Sequence, residues 1–533
     1  MTPAPRPVRP ASSLATALSV MVVLAGCTSQ GETLTDASGL SAPAAEALGD
    51  DVFAPPFPDP GPTGPAPAGW EEYDDSPETP FQDVATSPLS TFSADVDTAS
   101  YSNLRRQVNQ GVAPEGVRIE ELVNYFDYDY PAPSARAVHP FSVTTEVATA
   151  PWNPEHQLAM VGVQATEALP ATEGSNVVFL LDVSGSMDEP NKLPLLAESF
   201  ALLVEQLDEN DRVSIVTYAG DNRVVADSVP GSAHGVLVDH LRSLRAGGST
   251  GGADGLRTAY ELAEQNFVEG GNNRVILATD GDFNVGPSTP EELTELVESE
   301  RESGVYVSVL GFGMGNLKDS TMEAIADHGN GSYAYIDTLA EARKVLVDEF
   351  GSTMFVVAQD LKLQVELNPA TVGSYRLIGY DNRRLEDSDF VDDTKDAGDV
   401  GAGHSVTAFY ELVPAGDTDD TDDGNLKYSD RKVGTSDDFM TVRVRYKEPG
   451  ARTAGSTEVE FPVDADAFTP VPTSDFRFAS AVAELGLIAT DSEYRAEAGL
   501  DAVRERASSA LGTDPYGLRA EFLDLVEAYR RTS

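Results

Sequence analysis

The chain has 533 residues and a formal net charge of -52 at pH 7, with 88 acidic side chains against 36 Lys and Arg. This length exceeds one ordinary hydrophobic core and indicates several domains. A negative charge of this size repels nucleic acid and acidic lipid at long range, so no nucleic-acid partner is expected. The same acidity also fits a high-salt habitat.

The first 26 residues are predicted to be a lipoprotein signal peptide. Arg6 and Arg9 precede an apolar run that is short for a membrane span and ends in Leu24-Ala25-Gly26-Cys27. This tetrapeptide resembles the bacterial lipobox, which implies that Cys27 becomes the acylated first residue of the mature protein. Cys27 is the only cysteine in the chain, so no intramolecular disulfide is possible. We therefore expect a lipid anchor on Cys27 and an extracytoplasmic location.

The next two segments differ in composition. Residues 27–88 are rich in Pro, Gly, Ala and Asp without periodicity, which predicts a disordered tether. Residues 89–174 predict one strand and two short helices, then half-buried strands. Asp97 or Thr98 is expected to cap the helix that begins near Ser100, because Asp95 and Asp97 lack the rest of an EF-hand loop.

Residues 175–350 alternate between strands and helices. The runs "NVVFLLDV", "RVSIVTYA", "RVILATDG" and "VYVSVLGF" are continuously apolar, as in strands covered on both faces. They predict an α/β, doubly wound domain with a mainly parallel sheet. Residues 351–473 predict a β-rich domain with an acidic loop at 415–425, better explained as solvated charge than as a Ca²⁺ site. Residues 474–533 predict C-terminal helices.

Small oxygen-bearing side chains follow two of the predicted strands. Asp182, Ser184 and Ser186 end the first apolar run, Asp280 ends the third, and Thr250 lies in a Gly-rich turn between them. In an open α/β sheet, ligands bind outside the carboxyl ends of the strands. Hard oxygen donors suit Mg²⁺, or Mn²⁺ or Ca²⁺, and suit zinc poorly. The five residues therefore predict a divalent metal site, although an Asp-x-Ser-x-Ser turn alone could simply cap the following helix.

This constellation resembles the metal-ion-dependent adhesion site (MIDAS) of the von Willebrand factor type A (VWA) domain. The resemblance implies a Rossmann-like fold in which serines and threonine can bind the metal directly and the aspartates directly or through water. From Thr91 to Ser533 the chain also resembles bacterial VWA lipoproteins of the YfbK type, through "DVDTASYSNLRR" and "DPYGLRAEFLDLVEAY". Because the ends of a VWA domain lie close together, we expect it to be inserted in, or flanked by, a β-sandwich-like domain.

Neutral hydroxyl donors leave Mg²⁺ electrophilic, with a position free for an incoming carboxylate. We therefore expect binding of a protein ligand that presents an acidic group, and no enzyme activity. The chain has no His-Glu-x-x-His pair and no P-loop lysine in "GGSTGGADG". Two alternatives remain: a metal-dependent hydrolase with Asp188, Glu189 or Asp282 as base, and an envelope scaffold whose metal only stiffens loops. Asp182 and Thr250 are both expected on a loop rim.

Overall fold

The computed structural model describes residues 71–533 apart from 74–75, 95–96, 135, 168–172, 249–251, 282–289, 302, 417–437, 450–454 and 533. Cys27, Thr250, Asp282 and most of the acidic loop lie outside these residues. Within the described part of the chain, no helix combines the length and apolar character that a membrane crossing requires.

The segment before residue 175 supplies strands and two short helices. These elements are β1 (Gln82–Asp83), β2 (Leu89–Ser93), α1 (Ala99–Asn109), α2 (Ile119–Asn124), β3 (Phe141–Thr149) and β4 (Gln157–Ala165). Residues 71–73 and 76–88, predicted to belong to the tether, contact the folded part: β1 pairs with a later strand, and Glu71 forms an ion pair with Arg106. Among residues 71–88, those that the structure describes therefore belong to the folded part and not to the predicted tether.

The middle segment is the α/β domain. Its elements are β5 (Ser175–Asp182), α3 (Leu193–Val204), β6 (Arg212–Tyr218), β7 (Asn222–Pro230), α4 (His234–Ser243), α5 (Gly252–Gln265), β8 (Asn272–Thr279), α6 (Pro290–Arg301), β9 (Tyr306–Phe312), α7 (Asp319–His328), β10 (Tyr333–Ile336), α8 (Leu339–Arg343) and α9 (Phe350–Met354). A π-helical turn, Lys344–Asp348, joins the last two helices. The sheet order is β10-β9-β8-β5-β6-β7, parallel except for β7.

Both faces of this sheet are covered, which explains the apolar runs. Along β5, Val177, Phe179 and Leu181 join one core while Val178 and Leu180 join the other. Alternate side chains of a strand point to opposite faces, so a fully buried strand must be apolar throughout. The chain order reverses between β5 and β8, and this switch point is where ligands bind in such sheets.

The segment after residue 355 returns to antiparallel strands and ends in helices. Its elements are β11 (Val356–Leu367), β12 (Val372–Ile378), β13 (Arg384–Leu385), β14 (Gly398–Gly401), β15 (Ser405–Pro414), β16 (Met440–Lys447), β17 (Thr457–Val463), α10 (Ser474–Ala489), α11 (Leu500–Ser508) and α12 (Leu518–Thr532). In β16 the residues Met440, Val442, Val444 and Tyr446 are buried and alternate with more exposed ones. This alternation is typical of a sheet with one solvated face.

Strands from both sides of the α/β domain form two sheets. One has the order β1-β12-β15-β4-β3 and the other β13-β2-β11-β16-β17, with β14 also pairing with β11. β4 pairs with β15 from Gln157 opposite Leu412 to Gln164 opposite Ser405, and the two sheets share one core. The predicted fold class, an α/β domain inserted in a β-sandwich-like domain with C-terminal helices, is confirmed.

The C-terminal helices pack with the two short N-terminal helices rather than forming a separate unit. Phe478 and Phe522 make edge-to-face contacts with Phe126, and Phe476 does so with Phe409 of β15. Aromatic side chains bury large apolar areas and favour such edge-to-face geometry. The first and last parts of the described chain therefore share one hydrophobic core.

Candidate functional site

The candidate site lies where β5 and β8 end side by side. Leu181 of β5 is opposite Ala278 of β8, so Asp182 lies beside Thr279 and Asp280 follows directly. The Thr279 hydroxyl donates to Asp182 Oδ2 over 3.3 Å. Adjacent parallel strands thus bring together two carboxylates that are 98 residues apart in the sequence.

The turn after β5 places Ser184 against the Asp182 carboxylate and Ser186 beside Ser184. The Ser184 backbone N–H donates to Asp182 Oδ1 over 2.8 Å, and the Ser184 and Ser186 hydroxyl oxygens are 2.9 Å apart. The side chains of Ser184 and Ser186 do not cap α3, because that helix starts only at Leu193. The helix-cap interpretation of this turn therefore has no support in the structure.

Lys192 is the residue of this site that sequence reasoning missed. Its ammonium lies 3.0 Å from Asp280 Oδ2, and its side chain is only 3% exposed. Lys192 lies six residues after Ser186, on the loop that precedes α3. It belongs neither to a strand pattern nor to the Asp-x-Ser-x-Ser motif, so the sequence gives no reason to place it next to Asp280. The site therefore contains a lysine as well as two carboxylates and hydroxyl groups.

The site is buried, contrary to the expectation that Asp182 lies on a loop rim. Asp182 is fully buried and Asp280 is 1% exposed. The pKa of Asp182 is raised to about 6: burial raises it most, hydrogen bonds from Ser184 lower it, and the nearby Asp280 carboxylate raises it. Removing a carboxylate from water disfavours its charged form unless a cation is close. A divalent ion would supply such a cation, so this donor set fits a hard metal ion.

Other predicted residues are less constrained by the structure. Asp188 and Glu189, two of the possible general bases, are both exposed. Thr250 and Asp282 lie outside the described residues. The neighbouring Gly248 is described, and its carbonyl accepts a hydrogen bond from the Gly185 backbone N–H over 3.1 Å. This bond joins the Asp-x-Ser-x-Ser turn to Gly248, which lies two residues before Thr250 in the sequence.

A second acidic cluster lies at the junction of the α/β domain with the rest of the chain. Buried carboxylate oxygens of Asp97, Glu121 and Glu323 lie within 4.8 Å of one another. The predicted helix cap is wrong: Asp97 Oδ1 accepts from the Tyr333 backbone N–H, Thr98 makes no cap hydrogen bond, and Glu121 accepts from Ser100 instead. This cluster already contains two arginines, Arg118 and Arg383, which donate to these carboxylates.

A cavity of about 750 Å³ lies next to α2. Its acidic lining residues are Glu71, Glu72, Glu78, Glu115, Glu120 and Asp381. Glu120 is 4% exposed, and burial, followed by the adjacent Glu121 carboxylate, raises the pKa of Glu120 to about 7. Glu120 therefore keeps its proton in the folded protein at pH values where an exposed glutamate has lost it.

The Glu120→Gln variant should be more stable than wild type above pH 7 and equally stable below about pH 4.5. The folded pKa lies above the unfolded one, so the stability contributed by the bound proton is complete at low pH and is lost as the pH rises through 7. The expected gain at pH 8 is about 3 kcal/mol. Urea unfolding of both proteins at several pH values measures the difference, and a pH-independent difference would contradict it.

The comparison with known families agrees with the α/β fold of the middle segment. Residues 176–349 match the family described as von Willebrand factor type A domain, residues 352–532 match Uncharacterized protein YfbK, C-terminal, and residues 67–160 match von Willebrand factor. A solved structure, von Willebrand factor type A from Catenulispora acidiphila, covers 75% of this chain and 92% of its own, with 18% identity and a TM-score of 0.42.

Two relatives span different shares of the chain. Inter-alpha-trypsin inhibitor heavy chain H3 of Homo sapiens is 29% identical over 187 residues, which are 33% of this chain and 21% of that protein. Uncharacterized protein YfbK of Escherichia coli (strain K12) is 43% identical over 478 residues, which are 87% of this chain and 81% of that protein. Neither name denotes an enzyme. With this identity over most of both lengths, the chain belongs to the YfbK family of VWA domain proteins.

Proposed function

We propose that this protein is a membrane-anchored, extracytoplasmic binding protein that captures a protein partner through a divalent cation in its VWA domain. The cation would be held by five residues: Asp182, Ser184, Ser186, Thr250 and Asp280. We propose Mg²⁺ as the preferred cation and Mn²⁺ or Ca²⁺ as alternatives. The observation that carries the proposal is the meeting of Asp182, the two serine hydroxyls and Asp280 at the switch point of the sheet.

The chemistry of the donors supports a partner with an acidic group. Mg²⁺ prefers six oxygen ligands in octahedral geometry, and hydroxyl groups satisfy it without neutralising its charge. The cation then attracts a carboxylate that completes its coordination. The Lys192 ammonium beside Asp280 neutralises part of the negative charge of the site. The cation would therefore keep more of its own positive charge uncompensated. A carboxylate from a partner would supply the further anionic ligand.

The net charge of -52 opposes the approach of an acidic partner. At physiological ionic strength the Debye length is about 8 Å, so charges far from the site are largely screened. The bound cation is then the largest charge at contact distance. We therefore expect slow association at low salt and faster association as salt is raised.

Calorimetric titration of the protein with Mg²⁺ tests whether the site binds the metal. Capture of a partner protein from the cell envelope, in Mg²⁺ or in EDTA, tests whether partner binding depends on that metal. We expect saturable Mg²⁺ binding and capture that EDTA abolishes. Capture that is equal in Mg²⁺ and EDTA would contradict a metal bridge. A loss of thermal stability in EDTA with unchanged capture would instead support a scaffold whose metal only stiffens the loops.

The anchor leads to a separate prediction about Cys27. Replacing Cys27 by serine should prevent acylation and release the protein from the membrane fraction, because a single cysteine carries the whole lipid anchor. Labelling cells with a fatty-acid analogue and fractionating their membranes measures both effects. A Ser13→Ala variant inside the signal segment serves as the control and should remain acylated. Membrane-bound, labelled Cys27→Ser protein would contradict the prediction.

A further inference from the structure

The position of Lys192 is determined by packing as well as by its ion pair. Its backbone N–H donates to the Glu189 carbonyl over 3.0 Å, and its own carbonyl accepts from Leu196 in the first turn of α3. Its side chain then runs across Gly313, just after β9, where an added Cβ would lie 2.4 Å from both Cγ and Cε of the lysine. Gly313 has a φ of +78°, which a residue with a side chain rarely adopts.

This path leads the ammonium to Asp280 inside the site. The contact is 3.0 Å long, and both side chains are almost completely buried. Asp182 lies close enough to Asp280 for the two carboxylates to repel. Two carboxylates buried together are unfavourable without a positive charge beside them. Lys192 supplies one such charge from within the chain.

We propose that Lys192 is a built-in counter-ion that keeps the metal-free site folded and weakens its affinity for the divalent cation. This inference rests on the proposed metal site and concerns how the chain itself regulates that site. With Lys192 present, the two carboxylates and one ammonium carry a net charge of about -1 when ionised. Without it, the same two carboxylates present the full charge of -2 to a cation.

The divalent cation and the Lys192 ammonium therefore compete for the Asp280 carboxylate. A divalent ion at Asp182, Ser184 and Ser186 is repelled by an ammonium held at Asp280, since like charges a few ångströms apart interact strongly in a partly buried site. The cation must therefore either displace Lys192 from Asp280 or reach Asp280 only through water. In both cases Lys192 reduces cation affinity, and it makes the folded domain less dependent on the metal.

The test compares Lys192→Met with wild type, using Mg²⁺ alone as the probe. In EDTA, the melting temperature of Lys192→Met should fall by several degrees, because the charge that neutralises Asp280 is gone. Calorimetry should show Mg²⁺ bound at least about tenfold more tightly than by wild type. Saturating Mg²⁺ should then raise the melting temperature of the variant more than that of wild type.

Two further variants keep the result interpretable. Lys192→Gln retains a hydrogen-bond donor without the charge, so its melting temperature in EDTA should fall less than that of Lys192→Met, and it should also bind Mg²⁺ more tightly. Lys362→Met removes another buried lysine, which donates to the Asp389 and Asp392 carbonyls in the β-sandwich. It should lower the melting temperature without changing Mg²⁺ affinity.

The outcomes separate this inference from the proposed function. If wild type binds Mg²⁺ and both Lys192 variants bind it equally or more weakly, the counter-ion role is wrong and the metal site stands. If wild type binds no Mg²⁺, the proposed function fails; Lys192 variants that gain binding then still support the inference. Variants that also bind none would overturn it.

Discussion

Alanine in place of Asp182 should abolish divalent cation binding and the capture of an acidic partner. Asp182 is the carboxylate that accepts hydrogen bonds from the Ser184 backbone N–H and the Thr279 hydroxyl at the end of β5. Loss of residues that merely orient a metal ligand typically reduces affinity by about 10 to 100-fold, so loss of this carboxylate should cost at least about 100-fold. Calorimetric Mg²⁺ titration measures this directly.

The complete burial of Asp182 changes the choice of control. Alanine leaves the Ser184 N–H and the Thr279 hydroxyl without their acceptor, and each such loss costs about 1 to 3 kcal/mol. Asp182→Asn keeps an acceptor oxygen while removing the charge, so it should fold like wild type and still bind no Mg²⁺. Unchanged Mg²⁺ affinity in Asp182→Asn would exclude Asp182 as a ligand.

The other donors should have graded effects. Ser184→Ala and Ser186→Ala each remove one neutral oxygen and should weaken Mg²⁺ binding less than the loss of a carboxylate. Thr250→Ala should abolish capture if that hydroxyl completes the site as its position in the sequence predicts. Equal affinities across all four alanine variants would contradict the predicted order of ligands.

The location of the site could be predicted because its main residues follow apolar runs. β5 and β8 are buried on both faces, so the end of each apolar run in the sequence marks the end of the strand. Polar side chains just after each run must then lie at the edge of the sheet. Lys192 and Thr279 could not be predicted in the same way. Lys192 contacts Asp280 because of the conformation of the loop before α3, which the sequence does not indicate. Thr279 has the pattern of an ordinary strand residue, and its contact with Asp182 follows only from the pairing of β8 with β5.

The long-range packing was only partly predictable. Alternating strands before and after the α/β domain suggested a common β-sandwich, and β4 pairs with β15 as expected. Short elements carry no such signal: β1 has two residues and α2 has six, and their places depend on partners that are distant in the sequence. For the same reason the C-terminal helices were predicted as a separate segment, although they share a core with α1 and α2.

The acidic cluster at the domain junction shows a further limit of local reasoning. Asp97 has the spacing of a helix cap, but a stronger set of partners is available elsewhere in the fold. Arg383 Nη2 lies 3.1 Å from Asp97 Oδ2 and 2.8 Å from Glu323 Oε1, and Nη1 pairs with Asp327. Arg118 pairs with Glu121 and Asp319. The cluster therefore joins the loop before α1, the start of α2 and helix α7 of the VWA domain.

Replacing Arg383 by methionine should destabilise the protein by about 3 to 5 kcal/mol, because removing one partner of a buried ion pair leaves the other charges uncompensated. The arginine side chain is 9% exposed, and those of Asp97 and Glu323 are 1% and 7% exposed. Urea unfolding measures the loss. Amide hydrogen exchange should also become faster at Tyr333, whose N–H donates to Asp97 over 2.7 Å.

Arg242→Met provides the matched control. Arg242 pairs with Glu198 at the surface, where the two side chains are 58% and 32% exposed, and exposed pairs contribute about 0 to 1 kcal/mol. Mg²⁺ or Ca²⁺ should not restore the stability of Arg383→Met if the arginines are the positive charges that this cluster requires. Equal stability of the two variants would show that the cluster does not hold the domains together, and rescue by either cation would show that its carboxylates bind metal.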